Sequence, residues 1–146
     1  MKKCLLFTIL FALSLTLYSQ TNTWNGSGDG INWGDAGNWS LGLVPTGDHD
    51  VVIPTGSTVN LNVAGSTKSI AVQGNSTFNI FTNLIFTNAS SFASNVTVNW
   101  SNGSLFGGGT LTNNGTFNLS SENNKFISGL TTINNEGIFN ILSGGD

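Results

Sequence analysis

Charge is scarce in this chain, and arginine is absent. Of 146 residues, four are lysine, seven are acidic and one is histidine. Phosphate binding needs clustered cations, so nucleic acid is excluded as a partner and an anionic membrane surface is disfavoured. Cysteine is scarcer still. The one copy, Cys4, lies ahead of an apolar run, so the remainder of the chain has no disulfide framework, thiol nucleophile or cysteine metal site. The only long apolar run is Leu5 to Leu17, preceded by Lys2 and Lys3 and followed by Tyr18-Ser19-Gln20. It is short for a membrane span of about 20 residues and no basic flank follows it. Residues 1–19 therefore read as a secretory signal peptide cut after Ser19, with a retained anchor as the alternative. Cys4 is in the wrong place for a lipid-modified cysteine after cleavage, and no membrane insertion is expected then. Without residues 1–19, two lysines face seven acids, a net charge of −5.

What the chain has is a repeat. Thr58-Val59-Asn60-Leu61, Thr77-Phe78-Asn79-Ile80, Thr97-Val98-Asn99-Trp100, Thr116-Phe117-Asn118-Leu119 and Ile138-Phe139-Asn140-Ile141 follow one another in steps of 19, 20, 19 and 22 residues. A period near twenty, with polar and apolar residues alternating inside each phrase, predicts an all-β fold, a parallel β-helix or β-solenoid of about five coils. Alternation sends Val59 and Leu61, and their equivalents, to the interior and the Thr and Asn columns outward. Periodic apolar residues also supply the burial that a disordered chain lacks.

A second apolar position falls six residues before the phrase in four repeats, as Ile53, Phe92, Leu111 and Ile133, and eight before it in the second, as Ile70. Each coil therefore has at least two strands, joined by turns such as Pro54-Thr55-Gly56-Ser57 and Asn113-Asn114-Gly115. Ile80 to Phe86 and Ser104 to Gly109 fit less well, as looser corners or a third strand. Antiparallel hairpins are the structural rival. Stacked parallel coils alone return Asn to one place in every turn, where side-chain amides can hydrogen-bond along the axis.

Residues 20–47 read as a Trp- and Gly-rich N-terminal cap, and residues 48–146 as the repeats. Open solenoid ends are sheet edges that need cover. The chain reaches Leu142-Ser143-Gly144-Gly145-Asp146 with no change of composition. The expectation is the N-terminal part of a longer array or a unit that self-associates end to end.

Trp24, Trp33, Asn38-Trp39, Gly42, Pro45, Gly47-Asp48, Asp50-Val51-Val52-Ile53-Pro54, Gly56, Val59 and Leu61 together form a pattern. It resembles the opening segment of secreted repeat proteins of Gram-negative bacteria, adhesin-like and filamentous, in which a Trp-rich start leads into right-handed β-helix coils. It is also similar to the eight-glycine extracellular domain family. The resemblance implies an extracellular or outer-surface role, with glycans or host and matrix surface molecules as partners.

Candidate sites are few, and no motif implies a cofactor. Asp48-His49-Asp50 reads as a turn whose acids cap backbone amides, in preference to a metal site, because hard cations gather six to eight oxygens. Asp29 and Asp35, and Glu122 and Glu136, read as loop acids in preference to a catalytic pair. Trp24, Trp33 and Trp39 either plug the first coil or stack on sugar rings. Thr58, Asn60, Thr77, Asn79, Thr97, Asn99, Thr116 and Asn118 form the one repeated outward array. The leading expectation is a non-enzymatic secreted or cell-surface protein, an adhesin or a stalk. The alternatives are a truncated carbohydrate-active β-helix enzyme, a self-assembling fibre subunit and an ice-binding protein.

Overall fold

A computed structural model describes residues 19–120, 123–129 and 131–142. The expected leader lies outside the described residues except for Ser19, as do Glu122 and residues 143–146. Strand β1 (Gln20–Thr23) is followed by a 3₁₀ turn at Ala36–Asn38 and then by four three-strand coils. The first coil comprises β2 (His49–Ile53), β3 (Thr58–Leu61) and β4 (Gly65–Thr67). The second has β5 (Ser69–Val72), β6 (Thr77–Ile80) and β7 (Leu84–Phe86), and the third β8 (Ser90–Phe92), β9 (Thr97–Trp100) and β10 (Gly103–Phe106). The fourth has β11 (Thr110–Asn113), β12 (Thr116–Ser120) and β13 (Lys125–Ile127). Two strands of a fifth coil follow, β14 (Thr132–Asn135) and β15 (Ile138–Leu142).

Like stacks on like in three parallel sheets, ordered β1-β2-β5-β8-β11-β14, β4-β7-β10-β13 and β3-β6-β9-β12-β15. The all-β solenoid expected from the repeat is the observed fold. The segments that fitted the repeat least, Ile80 to Phe86 and Ser104 to Gly109, contain the third strand β7 and all of β10 except Gly103.

One register differs from expectation. Ile53, Val72, Phe92 and Asn113 are aligned on successive coils, and Leu111 pairs with Ser90. Leu111 and Ile133 thus do not continue the Ile53–Phe92 column, although all lie on interior-facing positions. The corner before β12 holds only Asn114 and Gly115, whereas the corner before β9 holds Ala93 to Val96. Counting back six residues therefore lands two residues early, and a period of two keeps the error on the same face.

The interior is mainly apolar. Ile53, Val59, Leu61, Ile70, Phe78, Ile80, Leu84, Phe86, Phe92 and Phe117 are buried, each contributing roughly 1.5–3 kcal/mol relative to exposure. A file of rings runs down the axis. Phe78 and Phe92 lie 6.1 Å apart between centroids, Phe92 and Phe117 6.0 Å, and Phe117 and Phe139 5.3 Å.

The N-terminal end is covered in two ways. Strand β1 lies in parallel register on β2, so residues 20–23 of the segment read as a cap are the first strand of a sheet. Residues 31–33 extend the β3 edge, with Asn60 N–H donating to Ile31 O (2.8 Å) and Trp33 N–H to Asn60 O (2.9 Å).

Candidate functional site

The repeated phrase builds the most regular surface of the molecule. On the sheet β3-β6-β9-β12-β15, Thr58, Thr77, Thr97 and Thr116 share one register position, which Ile138 takes on the last strand. Asn60, Asn79, Asn99, Asn118 and Asn140 share the position two residues on. Between these columns, Val59, Phe78, Val98 and Phe117 point into the core and are fully buried. Burial of one face thus fixes which residues the other face displays.

The Asn side chains form a continuous ladder. Asn79 Nδ2 donates to Asn60 Oδ1 (2.8 Å), Asn99 to Asn79 (2.9 Å), Asn118 to Asn99 (3.0 Å) and Asn140 to Asn118 (2.9 Å). Every amide points the same way along the axis, so the ladder ends in a carbonyl at Asn140. A primary amide has two N–H groups and a carbonyl with two lone pairs, so each Asn keeps hydrogen-bonding capacity beyond the ladder. The result is an uncharged grid of hydroxyls and amides. It repeats about every 4.8 Å along the axis and about every 6.6 Å along each strand.

Trp24, Trp33 and Trp39 sit elsewhere. All three are buried. Trp24 and Trp39 meet edge to face at 5.1 Å, Trp33 and Trp39 at 4.7 Å, and Trp33 approaches Phe78 at 6.1 Å. Trp39 Nε1 donates to Trp33 O (2.9 Å). Their faces cover the first coil and one another, which leaves no ring face on which a sugar could lie.

Alternation along β2 separates the Asp48-His49-Asp50 trio. His49 is buried and its Nδ1 accepts from Thr46 N–H (3.0 Å). Asp50 lies outward, accepting from Ser69 Oγ (2.5 Å). Hydrogen bonds from Ser19 and then Ser69 lower its pKa, against a small desolvation effect. Among the described residues, no group of three or more His, Cys, Asp or Glu side chains could hold a metal ion.

Asp29 and Asp35 are braces of the cap. Asp29 accepts from Asn32 N–H (2.8 Å), Ile31 N–H (3.0 Å), Asn38 Nδ2 (2.8 Å) and Asn32 Nδ2 (2.7 Å). These bonds, led by the backbone amide of Asn32, hold its carboxyl well below the usual carboxylate range. Asp35 accepts from Asp29 N–H (2.7 Å) and Gly37 N–H (2.9 Å). Buried Asn38 completes the brace by accepting from Gly28 and Gly30 N–H, both at 2.9 Å. Sequence reasoning placed Asn38 in a motif and Asn113 in a turn without foreseeing that both are buried, and it passed over the equally buried Asn22. In a chain rich in Asn, the one available signal is Asn38 standing directly beside a core Trp. Comparison with family models, with curated proteins and with solved structures returned no match, so the functional reading rests on residues and geometry.

Proposed function

We propose that the chain is a secreted or cell-surface, non-enzymatic protein whose β-solenoid acts as a stalk and presents the Thr/Asn face to a neutral, hydroxyl-rich surface such as a glycan. The observation that carries this reading is the register of the Thr and Asn columns over successive coils. A flat array that repeats with the coil pitch makes many weak hydrogen bonds at once to an ordered ligand. Multivalent contact of this kind turns individually small terms into useful affinity. The face carries no charge, which suits a neutral polyol better than a phosphate, sulfate or acidic peptide.

Binding to arrayed glycans, matrix proteins and whole cells tests the proposal. Thr77→Lys with Thr97→Lys should abolish retention, while Ser91→Lys on another sheet should preserve it. A chain that adheres to none of these yet depolymerises a polysaccharide would overturn the reading. Ice recrystallisation inhibition lost in the same double variant would redirect it to ice.

A further inference from the structure

Three Asn-Gly pairs stand in the chain, Asn25-Gly26, Asn102-Gly103 and Asn114-Gly115, and the first two are followed by the same residue, serine. In each, the glycine nitrogen has no Cβ beside it to obstruct the asparagine side chain. All three asparagines are exposed. The fold nevertheless treats them differently.

At the first pair, Gly26 N–H donates to Asn38 O (3.3 Å), and Asn25 Oδ1 reaches past it to accept from Ser27 N–H (2.9 Å). At the third, Gly115 is buried, its N–H donates to Asn113 Oδ1 (3.3 Å) and its carbonyl accepts from Ile138 N–H (2.9 Å). At the second, Gly103 N–H donates to Oδ1 of Asn102 itself (2.8 Å). That oxygen is one carbonyl bond, about 1.2 Å, from Cγ, so Gly103 N lies within about 4 Å of Cγ. A small side-chain rotation then gives the roughly 3–3.5 Å of a near-attack geometry.

We propose that Asn102-Gly103 is a self-modification site, where the folded chain converts Asn102 to isoaspartate or aspartate without an enzyme. The backbone around it is anchored. Asn102 N–H donates to Ile80 O (3.4 Å), Trp100 Nε1 donates to Asn102 O (2.9 Å) and Ser104 N–H donates to Asn83 Oδ1 (2.9 Å). The peptide is thus fixed on both sides while the asparagine head group stays in water, which keeps the reacting atoms together.

Water takes the Gly103 amide proton, and the nitrogen attacks Cγ to form the N–Cγ bond. The negative charge left on that amide spreads onto Asn102 O, where the buried Trp100 indole N–H stabilises it. The Cγ–Nδ2 bond then breaks. Nδ2 leaves as ammonia with a proton returned by water, and a five-membered succinimide remains. Water adds to one of its two carbonyls and breaks that carbonyl's bond to Gly103 N. Opening at Cγ gives aspartate. Opening at the main-chain carbonyl of Asn102 gives isoaspartate, with the chain rerouted through Cβ and Cγ. Trp100 Nε1 polarises this second carbonyl, so isoaspartate is the main product. Net, one water enters and one ammonia leaves. Either product sets a carboxylate in the corner that follows β9.

Peptide mass mapping of the purified chain, held for days at mildly alkaline pH, tests this. Asn102 should deamidate about tenfold faster than Asn25 and Asn114, and isoaspartate should predominate. In urea, where the fold no longer sorts the three pairs, their rates should converge. Equal rates in the folded chain, a rate at Asn102 that rises on unfolding, or an Asn102 that keeps its amide while Asn25 converts would each overturn the proposal.

Discussion

Asn113 occupies the register position of Phe92 on the neighbouring coil, so a buried amide, followed in register by Asn135, stands where the three preceding coils carry Ile53, Val72 and Phe92. The short corner that follows explains the exchange. Asn113 Nδ2 bonds to Gly115 O (3.2 Å), Asn135 Oδ1 (2.7 Å) and Ile138 O (3.3 Å), and its Oδ1 accepts from Gly115 N–H (3.3 Å). The side chain ties down a two-residue corner and links it to the next coil.

Asn113→Ala should accordingly destabilise the solenoid by about 1–3 kcal/mol, the cost of leaving buried polar groups unpaired. Asn113→Phe should lose at least as much, because the ring restores the column but not the corner. Urea unfolding of the two variants checks this, and a stabilised Phe variant would refute the account.

A glycine pair gives a second, sharper contrast. Gly103 has φ of +82°, and a Cβ there would lie 2.3 Å from Thr82 C on the preceding coil. Gly56 has φ of +81° but open space around it. Asn75 and Asn95 stand at the positions equivalent to Gly56, also with positive φ. Gly56→Asn should thus stay within about 0.5 kcal/mol of the parent. Gly103→Ala should exceed the roughly 1–3 kcal/mol of a strained conformation, because backbone must also move. Thermal melts of both variants decide it, and equal losses would show that only φ matters.

These two sites also show what was legible in the sequence. The Thr-x-Asn phrase exposed the fold because a half-buried strand must alternate, and Val59 to Phe117 do so coil after coil. The third strand was harder to read. Gly65-Ser66-Thr67 is three residues long and turns a glycine and a threonine inward, so it carries almost no apolar signal. The Leu111 column was misaligned because a corner can shorten by two without disturbing alternation. The polar braces were least visible, since Asn22, Asn38 and Asn113 are chemically the same as the chain's eighteen other asparagines and differ only in what backbone they meet.

The cap should be sensitive to acid through Asp29. Its folded pKa lies below the unfolded value of about 4. A depressed pKa contributes stability that is complete above the unfolded value and is lost as pH falls through the folded one. Asp29→Asn, which removes the charge, should therefore be less stable than the parent at pH 7. The difference should shrink steadily as pH drops below about 4. A gap that stays constant between pH 7 and pH 2 would mean that the carboxylate charge is not what braces the loop.

Trp33 and Trp39 are equally deep in the cap but differ in one hydrogen bond. Trp39 Nε1 donates to Trp33 O, whereas buried Trp33 Nε1 has no hydrogen-bond partner among the described residues. Replacing either indole by phenylalanine removes similar volume and leaves a similar void. Trp39→Phe additionally strands a buried carbonyl, while Trp33→Phe removes an N–H that was already unpaired. Trp39→Phe should be the more damaging by about 1 kcal/mol, the usual worth of one such bond. Denaturant midpoints of the two single variants measure the difference directly. A Trp33→Phe variant as unstable as Trp39→Phe would indicate that ring packing against Phe78, and not the indole hydrogen bond, sets the strength of the cap.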